Sequence, residues 1–143
     1  MADQTYWEDV SDGQEIPSFF RKTDLMNWNR WASVNDEYVP MHMDDDAAKE
    51  NGQPGAFGQG PLRFSYLHSL LRQFAGDDGD VVLVRVQMRG INFKNDELTC
   101  TGKVTGKRVE DGRHLVDLDI AITNQRGEAV TPGQGTVELP TRG

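Results

Sequence analysis

The stretch "GPLRFSYLHSLLRQFAG", residues 60 to 76, constrains the fold more than any other part of the chain. Phe64, Leu67, Leu70, Leu71 and Phe74 recur at steps of three and four, the spacing that lines up side chains on one face of an α-helix. Pro61 stands in the first turn, where a missing N–H costs nothing, and Gly76 stands just past the end. Directly afterwards the period becomes two. Val82, Val84, Val86 and Met88 alternate with Leu83, Arg85, Gln87 and Arg89; later Val116, Leu118, Ile120 and Ile122 alternate with Asp117, Asp119 and Ala121. Such alternation marks strands with one buried face. Between them "ELTCTGKVTGKRV" reads as a twisted strand weakened by glycines, joined to the next through the "EDGRH" turn. A last strand, about Ala129 to Leu139, follows "NQRG"; it carries Pro132 and two glycines and is expected to be bent or bulged.

Upstream, Thr23 suits the cap of a first helix in which Leu25, Trp28 and Ala32 share a face and which ends near Val34. A short second helix fits Asp45 to Asn51, with Asp44 as cap, Lys49 in the last turn and Gly52 to end it. A long helix ahead of four antiparallel strands has a simple packing solution, a sheet curled around the helix. The lengths agree, since a helix of about fifteen residues spans about 22 Å and strands of about eight residues span about 26 Å. The expected class is therefore α+β, a hot-dog fold with an antiparallel β-sheet wrapped around a long central α-helix. At 143 residues the chain is expected to form one domain, 1–143, with residues 1–12 a flexible or loosely docked N-terminal segment.

Fifteen basic against twenty-three acidic residues give a net charge of −8, which repels nucleic acid and acidic membrane surfaces. The single Cys100 cannot form an internal disulfide, no stretch reaches the roughly twenty apolar residues of a membrane span, and "MADQTYWEDVSDGQ" lacks the basic start and apolar run of a signal peptide. A cytoplasmic protein is the expectation. "DDDAAKENGQPG" lacks the ligand spacing of a calcium loop, and one His beside carboxylates does not make a zinc set, so no metal site is expected.

The chemistry concentrates in "NDEYVPMHMDDDAA", residues 35 to 48, which packs five carboxylates, a proline and one of the three histidines into fourteen positions. Asp44, Asp45 and Asp46 are simplest as a cap and first-turn acids. The longer stretch "WASVNDEYVPMHMDDDAAKENGQPGAFGQGPLRFSYL" resembles the signature region of the MaoC-like dehydratases, the group that includes the (R)-specific enoyl-CoA hydratases. The likeness rests on Pro40, Met41, His42, Asp44, Ala48, Gly52 and Gly60, and continues through "INFKNDELTCTGKV" and "ITNQRGEAVTPGQGTVELP".

The resemblance implies a hydro-lyase that adds water to a trans-2-enoyl-CoA thioester, or removes it, with coenzyme A as part of the substrate and no other cofactor. It makes His42 and a preceding Asp the acid–base pair. Here Asp36 stands six residues before His42 and Glu37 five, where the family has five, and Val39 replaces the usual Asn before the proline. Asp36 is the favoured acid and Glu37 the alternative. Backbone N–H groups at a buried helix N-terminus suit the enolate oxygen, which makes Gly60, ahead of Pro61, the oxyanion position. Tyr38, Phe57 and Gln59 are the candidate substrate-binding side chains. The same resemblance implies dimers through adjoining sheets, as a homodimer or as a heteromer with a related hot-dog subunit. An acyl-CoA thioesterase on the same fold and a non-catalytic acyl-thioester-binding subunit are the alternative functions.

Other reactive residues have plainer readings. His68 and His114 are structural or solvated, and Cys100 is a small core residue. Trp7, Trp28 and Trp31 are core aromatics with an acyl-pocket role as the alternative. Arg85, Arg89, Lys94, Lys103, Lys107 and Arg108 are the cations from which a coenzyme A patch could be drawn, none assigned.

Overall fold

The computed structural model describes residues 3–143. Its long helix, α3 (Gly60–Ala75), begins at the sequence's Gly-Pro pair and is followed by Gly76 with φ 74°. Earlier come α1 (Leu25–Asn35) and α2 (Asp45–Glu50). Five antiparallel strands make one sheet: β1 (Phe19–Lys22), β2 (Asp80–Val86), β3 (Glu97–Glu110), β4 (Arg113–Thr123) and β5 (Ala129–Glu138), in the order β1-β3-β4-β5-β2.

The β3–β4 hairpin turns through Asp111 and Gly112, both with positive φ, which is the two-residue Asp-Gly turn that matches strand twist. The bulge in β5 falls at Val130, where the pairing with β4 skips a residue, and not at Pro132, which pairs in register with Ala121. Val82 in β2 and Thr105 in β3 are bulged likewise. Each extra residue increases local twist, which helps a sheet curl.

The concave face of that curl meets α3. Leu67, Leu70, Leu71 and Phe74 bury against Leu98, Val104, Val116, Leu118, Ile122 and Val137. Each such side chain contributes about 1.5–3 kcal/mol by leaving water. Gly135 sets how closely helix and sheet approach, since a Cβ there would lie 2.5 Å from Leu71 Cδ1.

Four expectations need correction. Phe64, placed by its spacing on the core stripe, is 39% exposed, and its neighbour Arg63 is buried instead. The first turn of α3 faces the chain at 88–92 rather than the sheet interior, so periodicity misassigns it. Asp24, not Thr23, caps α1: its carboxylate accepts from Met26 and Asn27 N–H, while Asn27 returns a bond to the Asp24 N–H. Thr23 is buried and its hydroxyl accepts from the Asn92 amide at 3.3 Å. Strand β1 was not foreseen, because "FFRK" has no alternation to reveal it. Finally, residues 3–12, expected to be loose, are pinned: Trp7 N–H donates to the Pro140 carbonyl at 2.9 Å, its indole N–H to Leu115 at 3.2 Å, and Val10 joins the core. The first two residues of that segment lie outside the described ones.

Candidate active site

Helix α1 ends because Asp36 turns left-handed, with φ 51° and ψ 41°, and the Glu37 N–H closes back onto the Ala32 carbonyl at 3.0 Å. Asp tolerates this conformation better than most residues. The chain then runs exposed through Glu37 and Tyr38 into a 3-10 turn over Pro40–His42, with Pro40 at its start and the Met43 and Asp44 N–H groups both bonded to the Pro40 carbonyl at 2.9 Å.

That turn delivers His42, half-buried, to the loop before α3. Its Nδ1 lies 2.7 Å from the Phe57 carbonyl oxygen, and its ring meets the Phe57 ring edge-to-face at 4.7 Å. A carbonyl oxygen only accepts, so Nδ1 carries the proton and donates; in the neutral ring Nε2 keeps its lone pair.

The Phe57 carbonyl is itself held. Phe57 bridges to Phe93, the Gly58 N–H donates to the Asn92 carbonyl at 2.9 Å, and Asn92 is 1% exposed. Glycine suits position 58, since a Cβ would lie 2.5 Å from the Asn92 side chain and force it to shift. From the other side Asp45 ties the same loop: one carboxylate oxygen accepts from the Ala56 N–H at 2.9 Å and the other from Lys94 at 2.6 Å. The Lys94 bond and then the Ala56 bond hold its pKa below the usual carboxylate range. The acidic tail is thus divided, with Asp44 capping α2 through the Asp46 N–H and Asp45 clamping the loop.

At the start of α3, Gln59 occupies the cap position but its side chain makes no cap bond; its amide donates instead to the Trp28 carbonyl at 2.9 Å. Gly60 follows, packed toward Met88, whose side chain would make ordinary van der Waals contact with a Cβ there at 3.6 Å. Of the three candidate substrate contacts, Phe57 stands against His42, Gln59 is buried beneath α1, and Tyr38 is 56% exposed. Asp36 and Glu37 are exposed, and among the described residues no hydrogen bond or ion pair joins either to His42. Sequence reasoning missed Asn92, Gly58 and Arg63. A lone Asn or Gly far from the motif carries no local signal, and a helical Arg reads as solvated.

No family model matches the sequence, and no curated protein matches it significantly. Solved structures do match. An (R)-hydratase from A. caviae involved in PHA biosynthesis superposes with a TM-score of 0.82 at 21% identity, covering 93% of this chain and 99% of that one. A MaoC-like dehydratase from Rhodospirillum rubrum gives 0.84 at 20% identity over 97% and 99% of the two chains. The ChsH1-ChsH2 complex from Mycobacterium tuberculosis gives 0.79 at 18% identity over 91% and 98%. The chain has the hot-dog fold.

In the hot-dog frame α3 is the central helix, and a cavity of about 300 Å³ opens between it and α1, lined by Arg21, Arg30, Trp31, Val34, Leu62 and Tyr66 among others. Trp31 is the tryptophan on that cavity. Trp28 is fully buried, and Trp7 packs on His114 and beneath Lys107 at the N-terminal docking site. Burial pushes the Cys100 thiol up to about 12, which removes it as a thiolate nucleophile near neutral pH. Several surface cations already have partners, Lys94 in Asp45 and Arg108 in Asp117 and Glu110. Among the described residues no three His, Cys, Asp or Glu side chains cluster closely enough to share a metal ion, and no helix is long and apolar enough to cross a membrane.

Proposed function

We propose that this chain is a hydro-lyase that adds water to a trans-2-enoyl-CoA, or removes it from the 3-hydroxyacyl-CoA, with His42 and Asp36 as the acid–base pair. The observation that carries the reading is the bond from His42 Nδ1 to the Phe57 carbonyl. It leaves Nε2 as an acceptor in a half-buried site against the loop that runs directly into the N-terminus of α3.

A water held by Nε2 and a carboxylate would lose a proton as its oxygen bonds to the β-carbon. The π pair then moves toward the thioester, whose oxygen becomes negative, and the α-carbon takes up a proton as the carbonyl reforms. Acid–base help of this kind contributes about 10²–10⁴ in rate. The N-terminal N–H groups of α3, beginning at Gly60, suit the oxygen's transient charge, because the Gln59 side chain does not cap them and the helix dipole is positive there. Glu37 is the alternative acid, and a dimer through adjoining sheets is the proposed assembly.

A second reading has its own support. Asp36 has a sufficient backbone reason to be where it is, as the left-handed end of α1, and no carboxylate touches His42 among the described residues. Both fit a non-catalytic acyl-thioester-binding subunit of a heteromer. One assay separates the readings: purified protein is mixed with enoyl-CoAs of graded acyl size while loss of conjugation and release of free thiol are followed together. Conjugation lost without thiol is the expected result. Thiol release means a thioesterase, and neither signal across the series selects the binding subunit.

A further inference from the structure

Arg63 is a buried cation without a counter-ion. It is 4% exposed, burial lowers its pKa, and among the described residues no carboxylate pairs with it. One terminal N–H donates to the Gly90 carbonyl at 2.6 Å, and Nε has no partner. An isolated charge in the interior is costly, and apolar side chains of similar volume often replace buried ions without loss of stability. A cation in such a place calls for a negative charge that the free protein lacks.

Its position says which one. Gly60 and Arg63 are three residues apart on α3 and so share a face, and both front the same segment, Gly60 at Met88 and Arg63 at Gly90. A helical side chain leans toward the N-terminus of its own helix, so the guanidinium adds a full positive charge to the positive end of the α3 dipole. The buried acceptors Gln59 Oε1 and Asn92 Oδ1 are also unpartnered, and neither oxygen carries a net charge.

We propose that Arg63 is a positioning residue whose field stabilises the negative charge developing on the thioester oxygen at the N-terminus of α3. This rests on the hydro-lyase reading and deepens it. Arg63 exchanges no proton: the oxygen gains charge as water adds to the β-carbon and loses it when the α-carbon is protonated. The Gly90 bond fixes the guanidinium and aims the field.

The test uses the full chain and three variants. Arg63→Lys keeps the charge, Arg63→Gln keeps an N–H donor without it, and Arg63→Met keeps neither. A saturated acyl-CoA, butyryl-CoA, is bound, and the infrared stretch of its thioester carbonyl is recorded. In the parent and the Lys variant the stretch is expected at lower wavenumber than in free solution, returning toward the free value in Gln and Met. With an enoyl-CoA, kcat is expected to fall about tenfold or more in Gln and Met, less than the loss of a direct oxyanion donor, while KM stays within about twofold. If Met does not fold, the Lys and Gln pair decides. Carbonyl frequencies in Gln equal to the parent's overturn the Arg63 proposal alone. A parent protein that binds no thioester overturns it together with the hydro-lyase reading.

Discussion

The sheet with α3 and the shoulder formed by α1, the His42 turn and the loop before α3 solve different problems. Where α3 meets β3, β4 and β5, contact is apolar side chain against apolar side chain, and glycines sit where the surfaces close on each other. In the shoulder, and where the first turn of α3 meets the 88–92 segment beside it, the contacts are polar and partly unmatched: Trp28, Trp31, Gln59, Arg63 and Asn92 each hold a buried polar atom without a partner. Unmatched buried polar atoms are rare in natural proteins and each costs stability. One region is arranged for stability, the other keeps polar groups in place at some cost to it, and such exceptions gather where a protein works.

Substitutions can break or sharpen this contrast. The largest effect is expected at His42, where His42→Gln should lower enoyl-CoA hydration by about 10²–10⁴ with the thermal midpoint nearly unchanged; equal loss of stability and activity would erase the distinction. Asp36→Asn removes the carboxylate yet tolerates the left-handed backbone, so kcat should fall about a hundredfold or more with unfolding in urea unaltered. Glu37→Gln should leave kcat close to the parent's, and the reverse pattern would transfer the acid's role to Glu37. In the other region Leu67→Ala should cost about 2–5 kcal/mol in urea unfolding and leave KM as it was.

Gly58→Ala tests the boundary. Its new methyl meets the Asn92 side chain, and the expected cost is about 1–3 kcal/mol together with reduced kcat, because the Phe57 carbonyl moves with the loop. Adding Asn92→Ala should recover part of the stability, a coupling visible in a double-mutant cycle.

The smallest effect belongs to the sheet's outer face, at Asp117→Asn. The Arg108 hydrogen bond lowers the pKa of Asp117 from its ordinary 3.8, against partial desolvation. Its contribution is therefore present above 3.8 and fades as pH falls through the lower folded value. Exposed pairs give about 0–1 kcal/mol, so the substitution should cost less than about 1 kcal/mol at neutral pH and nothing in strong acid, read from urea midpoints.

Local rules explain how much of this was legible beforehand. Helix α3, the Asp44 cap and the Asp-Gly hairpin each carry their signal within a few residues, in a periodicity, a capping side chain and a turn pair. Strand β1 carries none, because its existence depends on pairing with β3, some eighty residues away. The Phe64 and Arg63 reversal has a similar origin. Both positions lie near the helix's apolar stripe, and the 88–92 segment that decides between them is invisible to spacing. In the site, the His42 loop stood out through its resemblance to a known motif, but what holds His42 did not, because the Phe57 carbonyl, Gly58 and Asn92 meet only in the folded chain.

The acceptor for His42 is a main-chain oxygen. No exchange of side chain at position 57 can delete it, so the imidazole's tautomer is written into the path of the backbone and passes to any descendant sequence that keeps that path. Drift at Phe57 would reshape what the ring meets while leaving its proton where it is. To move that proton to the other nitrogen without replacing the histidine, a lineage would have to reroute the chain.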